Sequence, residues 1–247
     1  MSRKREELRE AVIPGADLRA AAAQLTRRDF AGALRRSAPA IISEAKKASP
    51  SKGVLVQDFQ PATLARQYEE GGAAAMSVLT DRDFFQGSIA HLQAARAACL
   101  LPVIRKDFTI AEYQILEAAA MGADAILLIA AILDVAEMRD FRQTAAAFGM
   151  ASLVEAHNAA EVDAALKSGA EILGVNNRNL NTFQVSLDTS LELAERIPPG
   201  VIRVSESGIF TRDDVMRLQA AGYAAFLVGE HLVKSGDPAQ AIRELVG

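Results

Sequence analysis

The sequence predicts an α/β protein built as a single (β/α)8 TIM barrel with an N-terminal helical extension. Eight short apolar runs of strand length alternate with helical patterns, as in a parallel sheet covered by helices. The chain has 247 residues, half of them hydrophobic, which is enough for one large core. The alternative is an open doubly wound sheet. Residues 49–53, SPSKG, do not form the glycine-rich dinucleotide fingerprint expected after its first strand.

Two charged segments before the first strand are predicted to be helical. Residues 2–12 and 17–24 mix Lys, Arg and Glu with Leu, Val and Ala. We therefore expect residues 1–38 to form a helical extension that covers one end of the barrel. The first strand follows at residues 40–45.

A glycine phrase recurs along the chain with a period of roughly 50 residues, which indicates an internal repeat. Each phrase ends a helical pattern and leads into a strand, because glycine favours the backbone geometry that terminates a helix. The phrases begin at Gly71, Gly122, Gly169 and Gly222. They introduce strands at residues 75–79, 125–129, 172–175 and 225–228, and the other strands are residues 40–45, 102–106, 151–155 and 201–205. Helices are predicted at residues 61–70, 88–100, 111–121, 135–148, 159–168, 187–196, 211–221 and 238–246.

Composition excludes several classes of partner. The 27 basic and 31 acidic residues give a net charge of −4, without the basic excess of a nucleic-acid-binding protein. No apolar run reaches the ~18 residues needed to cross a membrane, and the charged N-terminus is not a signal peptide. The single cysteine, Cys99, is typical of a core residue in a reducing compartment. We expect a cytoplasmic protein that binds neither nucleic acid nor membrane. Residues 1–247 would form one domain, since no linker divides them.

Polar residues stand at the C-terminal ends of several predicted strands, where barrel enzymes carry their catalytic groups. In the first strand, Ile42, Glu44 and Lys46 share one face because side chains alternate with period two. A buried Glu–Lys pair also occurs as a purely structural ion pair. This stretch alone therefore does not decide between a structural ion pair and a catalytic site. Its repetition at other strands favours a functional site. The residues expected to converge on one cavity are Glu44, Lys46, Lys106, Glu155, Asn176 and Glu206.

Three other polar residues near strand ends are interpreted as structural. Asp81, Asp107 and Asn158 stand where a strand ends and a helix follows, and such residues commonly cap helices.

The histidines do not predict a metal site. His91, His157 and His231 lie in different repeat units without ligand spacing. We assign His91 to packing or the surface, His157 to the entry of a helix and His231 to a structural role.

The ends of the last two strands carry glycines suited to a phosphate group. Ser207-Gly208 follows the seventh strand and Gly229 the eighth, and the loops after these strands are the common phosphate site of this fold. Glycine lets backbone N–H groups approach the phosphate closely, and a helix N-terminus adds favourable partial charge. A side chain at Gly229 would block this approach. Substitution there is therefore expected to raise KM far more than it lowers kcat.

The motifs at the strand ends, taken in order, resemble those of the indole-3-glycerol-phosphate synthase family. The resemblance runs from the first strand to the C-terminus. It is carried by residues 44–53 (EAKKASPSKG), 77–81 (SVLTD), 84–88 (FFQGS), 105–108 (RKDF), 153–155 (LVE), 174–180 (GVNNRNL) and 205–209 (SESGI).

The resemblance implies a carboxy-lyase of tryptophan biosynthesis. Its substrate, 1-(2-carboxyphenylamino)-1-deoxyribulose 5-phosphate, is closed to indole-3-glycerol phosphate with loss of CO2 and water. Lys106 would be the acid for ring closure, with Glu155 as first choice of base and Glu44 as second. Asn176 would orient the substrate hydroxyls and Lys46 would meet the substrate carboxylate. No metal or organic cofactor is implied, because the anilino nitrogen supplies the electron push. The residues expected to contact the substrate are Ser49, Ser51, Phe85, Phe108, Arg178, Glu206, Ser207, Gly208, Leu227 and Gly229.

The local sequence also predicts the acidity of Lys106. Ile104 lies below it on the same strand face and Phe108 lies beyond it. In such an apolar setting an ammonium is poorly solvated, so we expect a lowered pKa for Lys106.

Two alternatives stay open on the sequence alone. One is another phosphosugar barrel enzyme of the same pathway, of the phosphoribosylanthranilate isomerase type, which needs a single acid–base pair. The other is a barrel that binds a phosphorylated metabolite without converting it. The set of lysines and glutamates favours the synthase over both. We expect a monomer that binds a small phosphorylated substrate, with weak association with other tryptophan-pathway enzymes as an option.

Overall fold

The computed structural model describes residues 2–180 and 182–247. Eight parallel strands form a closed barrel, which confirms the predicted fold class. In chain order they are β1 (Ala40–Ala45), β2 (Ala75–Leu79), β3 (Val103–Lys106), β4 (Ala125–Ile129), β5 (Ala151–Ala156), β6 (Ile172–Asn176), β7 (Ile202–Glu206) and β8 (Ala225–Val228). Each strand pairs with its neighbours in the sequence, and the barrel closes through β1 and β8, where Ala40 stands opposite Ala225.

The helices pack around the barrel or extend before it. They are α1 (Ser2–Arg9), α2 (Gly15–Ala23), α3 (Phe30–Arg36), α4 (Pro61–Glu70), α5 (Arg82–Phe85), α6 (Ile89–Ala98), α7 (Glu112–Met121), α8 (Val135–Ala147), α9 (Ala159–Lys167), α10 (Asp188–Leu193), α11 (Arg212–Ala220), α12 (Glu230–Lys234) and α13 (Pro238–Val246). A 3-10 turn at Ala194–Arg196 continues α10.

The predicted strands agree with the observed ones to within one residue at each end. Three helices, α3, α5 and α12, were not predicted. Each spans seven residues or fewer, too short for a helical period to stand out in the sequence. Helix α1 ends at Arg9 rather than at residue 12, since Val12 is 88% exposed and gains nothing by packing.

Alternation along the strands separates two apolar layers. Ile42 and Ile104 pack inside the barrel, whereas Ile41 and Val103 pack between the strands and the helices. The glycine phrases end helices as predicted. The backbone φ angles are +86° at Gly72, +95° at Gly122, +85° at Gly169 and +90° at Gly222, a region that side chains other than glycine rarely adopt.

The N-terminal extension touches both ends of the barrel rather than one. In α3, the buried Phe30 and Leu34 pack against the interior residues near the N-terminal ends of the strands. Helix α1 instead reaches the opposite end, where Lys4 Nζ lies 2.8 Å from both Asp81 and Asp107. Among the residues that the structure describes, no helix is long and apolar enough to cross a membrane.

Candidate active site

A cleft of about 280 Å³ opens at the C-terminal ends of the strands. All residues that the sequence predicted for catalysis or substrate contact line this cleft. They are Glu44, Lys46, Ser49, Ser51, Phe85, Lys106, Phe108, Glu155, Asn176, Arg178, Glu206, Ser207, Gly208, Leu227 and Gly229. Their individual roles stay predictions.

The centre of the cleft holds one ammonium and two carboxyl groups. Lys106 ends β3, and its Nζ lies 3.1 Å from Glu155 Oε2 and 3.5 Å from Glu206 Oε2. Glu155 belongs to β5 and Glu206 ends β7, so alternate strands of the barrel supply the three groups. Gly174 of β6 leaves room for this cluster, because a Cβ atom at that position would collide with the Glu206 carboxyl group.

The predicted lowering of the Lys106 pKa is wrong. Burial alone would lower this pKa, but the carboxyl groups of Glu155, Glu206 and Glu44 outweigh burial and raise it. Lys106 therefore keeps its proton throughout the neutral range. The three glutamates belong to other strands, so the residues next to Lys106 in the sequence do not reveal them.

The two carboxyl groups beside Lys106 differ in their protonation. Burial favours the neutral form of both, but Lys106 and His157 hold the pKa of Glu155 well below its usual range. For Glu206, burial and the neighbouring Glu155 carboxylate outweigh Lys106 and raise the pKa to about 8. At neutral pH the cluster thus contains a carboxylate, a carboxylic acid and an ammonium. A base and two proton donors are therefore within reach of one another.

The Glu44–Lys46 pair forms a second polar group at the mouth. Lys46 Nζ lies 2.6 Å from Glu44 Oε1, so the ion pair that the sequence left open as a structural interpretation is formed. Burial favours protonated Glu44, but Lys46 and Lys106 keep its pKa below the usual value. Below the carboxylate, Tyr68 Oη donates to the Glu44 carbonyl at 3.0 Å and fixes the strand end. Both partners also line the cleft, so the pair is available to a substrate.

One side of the cleft is an apolar wall with hydroxyl groups above it. The Phe85 and Phe108 rings lie 6.4 Å apart, centre to centre, after β2 and β3. A short antiparallel hairpin, Ala48–Ser49 with Gly53–Val54, carries Ser49 and Ser51 over the mouth. The wall can hold an aromatic ring, and the hairpin adds polar groups at its edge.

The other side carries the glycine-containing turns after β7 and β8. Ser207 and Gly208 have φ angles of +69° and +80°, a left-handed turn that brings the backbone to the cleft. The N–H groups of Gly208 and Gly229 donate no hydrogen bond within residues 2–180 and 182–247. Arg178 lines the same region, and its guanidinium donates to the Phe183 carbonyl at 3.3 Å. These groups can bind an anion such as a phosphate.

Asn177 fixes the turn after β7 and was not predicted. Its side-chain amide donates to the Ser207 carbonyl and to Ser205 Oγ, both at 3.0 Å. Its carbonyl oxygen accepts from Ser190 Oγ at 2.8 Å. Because Asn177 follows Asn176 directly, alternation places it on the opposite strand face, and this was the available signal for a supporting role.

The residues interpreted as helix caps divide into two kinds. Asp81 caps α5 and Asn158 caps α9, as expected. Asp107 instead belongs to a buried ion pair with Lys4, at 2.8 Å, and Arg105, at 3.2 Å. The sequence could not reveal this arrangement, because Lys4 lies about a hundred residues away, in a helix whose other residues are exposed or half-buried.

The histidines have three different surroundings. His91 packs edge-on against Phe59, with ring centres 5.0 Å apart, which agrees with a packing role. His231 was expected to be structural but lines the rim of the cleft. The N–H of His157 donates to Glu161 at the start of α9, as expected, yet its ring also contacts Glu155. In the part of the chain that the structure describes, no three His, Cys, Asp or Glu residues are grouped as metal ligands.

The floor of the cleft is apolar and was also missed. Leu79 and Ile129 end their strands, Leu127 lies in the middle of β4, and all three line the cavity. The alternation that places Glu155 inside the barrel also applies to these residues, so it could have identified them.

The fold and the cleft define a class of protein. A (β/α)8 barrel with paired ammonium and carboxyl groups between an aromatic wall and an anion-binding turn is a barrel enzyme for acid–base chemistry on a phosphorylated small molecule.

Comparison with known proteins identifies the family. Residues 1–245 match the family model described as indole-3-glycerol phosphate synthase. Curated relatives of that name include one from Aromatoleum aromaticum, 53% identical over 100% of this chain and 97% of the relative. Another, from Dechloromonas aromatica, is 53% identical over 98% of this chain and 95% of the relative. The chain therefore belongs to the indole-3-glycerol phosphate synthase family, and thus to the carboxy-lyases of tryptophan biosynthesis.

Solved structures share the fold at low sequence identity. A tryptophan synthase α-subunit from Pyrococcus furiosus aligns with a TM-score of 0.64 and 15% identity over 85% of this chain and 98% of its own. An N-acetylmannosamine-6-phosphate 2-epimerase from Clostridium perfringens aligns with a TM-score of 0.64 and 16% identity over 82% and 91% of the two chains. These likenesses concern the barrel alone.

Proposed function

We propose that this chain closes 1-(2-carboxyphenylamino)-1-deoxyribulose 5-phosphate to indole-3-glycerol phosphate, releasing CO2 and water, and that Lys106 and Glu155 carry out the proton transfers. One observation carries the assignment of roles. Lys106 Nζ lies 3.1 Å from the buried Glu155 carboxylate, in the same cleft that the aromatic wall and the anion-binding turn line.

The substrate would span the cleft with its two charged ends apart. Its phosphate binds the N–H groups of Gly208 and Gly229 with added charge from Arg178. Its aryl ring packs on Phe85 and Phe108. The hairpin hydroxyls of Ser49 and Ser51 lie above that ring, and Leu227 adds apolar contact beneath the sugar chain. This orientation puts the reacting ketone near the central cluster.

Ring closure forms a bond between the aryl carbon that carries the carboxylate and the ketone carbon. The anilino nitrogen supplies the electrons, and the ketone oxygen gains negative charge as the bond forms. Lys106 donates its proton to that oxygen, and its positive charge stabilises the oxyanion as it develops. Loss of CO2 then returns the electrons of the broken carbon–carbon bond to the ring, which becomes aromatic again.

Dehydration completes the indole. The new hydroxyl group leaves as water after it is protonated, and a base removes a proton from the substrate so that the second ring becomes aromatic. Glu155 is our first choice for this base, and Glu44, paired with Lys46, is the second. Asn176 orients the substrate hydroxyls. Glu206, with its pKa raised to about 8, is a neutral acid beside Lys106 and can return a proton to it.

Turnover of the carboxyphenylamino substrate tests this proposal, since the indole product is fluorescent. Native protein is expected to generate the signal. Glu155→Gln keeps the side-chain volume and removes the base, so kcat should fall by about 10²–10⁴-fold. An isomerase of the pathway or a binding barrel would give no indole signal. If Glu155→Gln kept a near-native kcat and Glu44→Gln lost most of it, Glu44 rather than Glu155 would be the base.

We also propose how the protein exists in the cell. Residues 1–247 would act as one domain, with residues 1–38 as its helical extension. The enzyme would be a cytoplasmic monomer, with weak association with other tryptophan-pathway enzymes as an option. The balanced charge and the single, buried Cys99 support the reducing, soluble environment that this requires.

A further inference from the structure

A row of three side chains leads from the centre of the cleft toward the surface. Glu155 contacts Lys106 through Oε2 and uses its other oxygen, Oε1, to face His157 Nε2 at 3.3 Å. On the far side, His157 Nδ1 lies 3.0 Å from Glu161 Oε2. The His157 ring is thus between two carboxylates, and the His157 side chain is only 10% exposed.

The start of helix α9 fixes this geometry. Glu161 is in the first turn of α9, and its N–H donates to the capping Asn158 at 3.0 Å. Its two carboxylate oxygens accept from Asn158 Nδ2 at 2.6 Å and from the His157 N–H at 2.8 Å. A carboxylate held at several points can orient an imidazole ring, as second carboxylates do in catalytic triads.

We propose that His157 is a positioning residue for the reaction: its imidazolium, oriented by Glu161, holds the Glu155 carboxylate ionised and aimed at the substrate. This inference rests on the proposed role of Glu155 as the base. Lys106 occupies one oxygen of that carboxylate and must give up its proton during ring closure. His157 on the other oxygen preserves a countercharge at that moment.

The charges around His157 support an imidazolium. Burial alone would lower its pKa, but Glu155 from its own strand and Glu161 from the following helix raise it to about 9. Beyond Glu155 stand Lys106 of β3 and Glu206 of β7, which act on His157 through that carboxylate. Because the pKa is raised, the charged ring is present below about pH 9 and is lost as the pH rises through that value.

This charge state predicts a pH-dependent effect of substitution. Below pH 9, His157→Gln is expected to lower kcat by about 10-fold, the loss typical of one charge-assisted contact. Above pH 9 the native ring is neutral, so native and variant rates should converge.

The experiment measures kcat and kcat/KM from pH 5 to 10 for the native enzyme, His157→Gln and Glu161→Gln, with circular dichroism at each pH. Glu137→Gln is the matched control, because Glu137 stands three residues after the N-cap of α8, as Glu161 does in α9, but has no histidine to orient. Glu161→Gln should reproduce part of the His157→Gln profile, and Glu137→Gln should keep the native profile.

Two results would overturn the proposal. A ratio of native to His157→Gln rates that is constant with pH would mean a purely structural contribution. Equal profiles for Glu161→Gln and Glu137→Gln would mean that Glu161 only stabilises the start of its helix. This comparison applies even if His157→Gln does not fold. The proposed function is tested separately by Glu155→Gln. A near-native kcat in that variant would show that Glu155 is not the base, whereas the His157→Gln data test only the positioning role of His157.

Discussion

Gly229 illustrates how closely the residues of the cleft are packed. A Cβ atom at this position would lie 2.5 Å from Glu44 Oε1 and 3.2 Å from Glu44 Cβ. A side chain there would displace the Glu44–Lys46 pair as well as obstruct a phosphate. We therefore expect substitution of Gly229 to lower kcat appreciably as well as to raise KM. Another residue is needed to test the phosphate end alone.

Arg178 provides that test. Its backbone N–H donates to Asn176 Oδ1, and its guanidinium donates to the Phe183 carbonyl on the anion-binding side of the cleft. Arg178→Met should raise KM by about 10–100-fold, the loss of one hydrogen bond to a charged group, and leave kcat within about 2-fold. Steady-state kinetics measure both constants. Arg66→Met, at an exposed arginine of α4, is the control, and an unchanged KM in Arg178→Met would remove Arg178 from the phosphate site.

At the residue scale, position could be predicted from the sequence and electrostatic state could not. Alternation along the strands correctly brought Glu44, Lys106 and Glu155 to one cavity. The pKa of Lys106 depends on carboxyl groups between about 50 and 100 residues away, whose distances are set by the closed barrel. His157 shows the same limit. Its spacing from Glu155 was visible, but its ring contact was not.

Among the elements, helix α1 links the extension to the aromatic wall. Lys4 Nζ lies 2.7 Å from Glu7 within the helix and 2.8 Å from Asp81 and from Asp107 in the loops after β2 and β3. Arg3 also pairs with Asp83 of α5. These loops carry the phenylalanines of the wall, so docking of α1 should help to fix the aryl site.

Lys4→Met is expected to release this helix. The variant should lose about 2 kcal/mol of unfolding free energy, as for a hydrogen bond to a charged group, and its KM should rise as the wall loosens. Urea denaturation and steady-state kinetics measure the two effects. Arg5→Met, at the exposed neighbour of Lys4, is the matched control. Equal stability and KM in both variants would show that the Lys4 contacts do not hold the wall.

The stability difference between native protein and Lys4→Met should depend on pH. Burial favours neutral Asp107, but Arg105 and Lys4 lower its pKa. A carboxyl group with a lowered pKa stabilises the fold above its unfolded pKa of ~3.9 and loses that contribution as the pH falls through its folded value. The difference should therefore be full at pH 7 and narrow below pH ~4. A difference that stayed constant to acidic pH would contradict the ion-pair explanation.

Long, repeated elements were predicted well and short ones were not. The strands were found from apolar runs preceded by glycine phrases, a signal that local geometry enforces. Helix α3 was missed because it has only seven residues, although Asp29 caps it and the buried Phe30 and Leu34 fix it to the barrel. Its stability comes from tertiary packing, which a sequence period does not express.

In the whole molecule, barrel closure assigns the two lysines to different surroundings. Lys46 follows β1 at the mouth, where it pairs with Glu44 at 2.6 Å. Lys106 lies at the centre, between Glu155 and Glu206. The sequence predicted the cleft and the polar side chains at its centre, because a closed parallel barrel must bring the strand ends together. The central claim is that these lysines perform different functions, with Lys106 acting on the ketone oxygen and Lys46 on the substrate carboxylate.

The most direct test of this claim compares the steady-state kinetics of Lys106→Ala and Lys46→Ala. Indole fluorescence reports turnover, and circular dichroism verifies that each variant has the native fold. Lys106→Ala should lower kcat toward the upper part of the ~10²–10⁴-fold range for general acids, whereas Lys46→Ala should act substantially through KM. Lys106→Arg should not restore kcat, because a planar, forked guanidinium differs in shape from the compact ammonium and cannot place its donor at the same point. A near-normal kcat in Lys106→Ala would contradict the account.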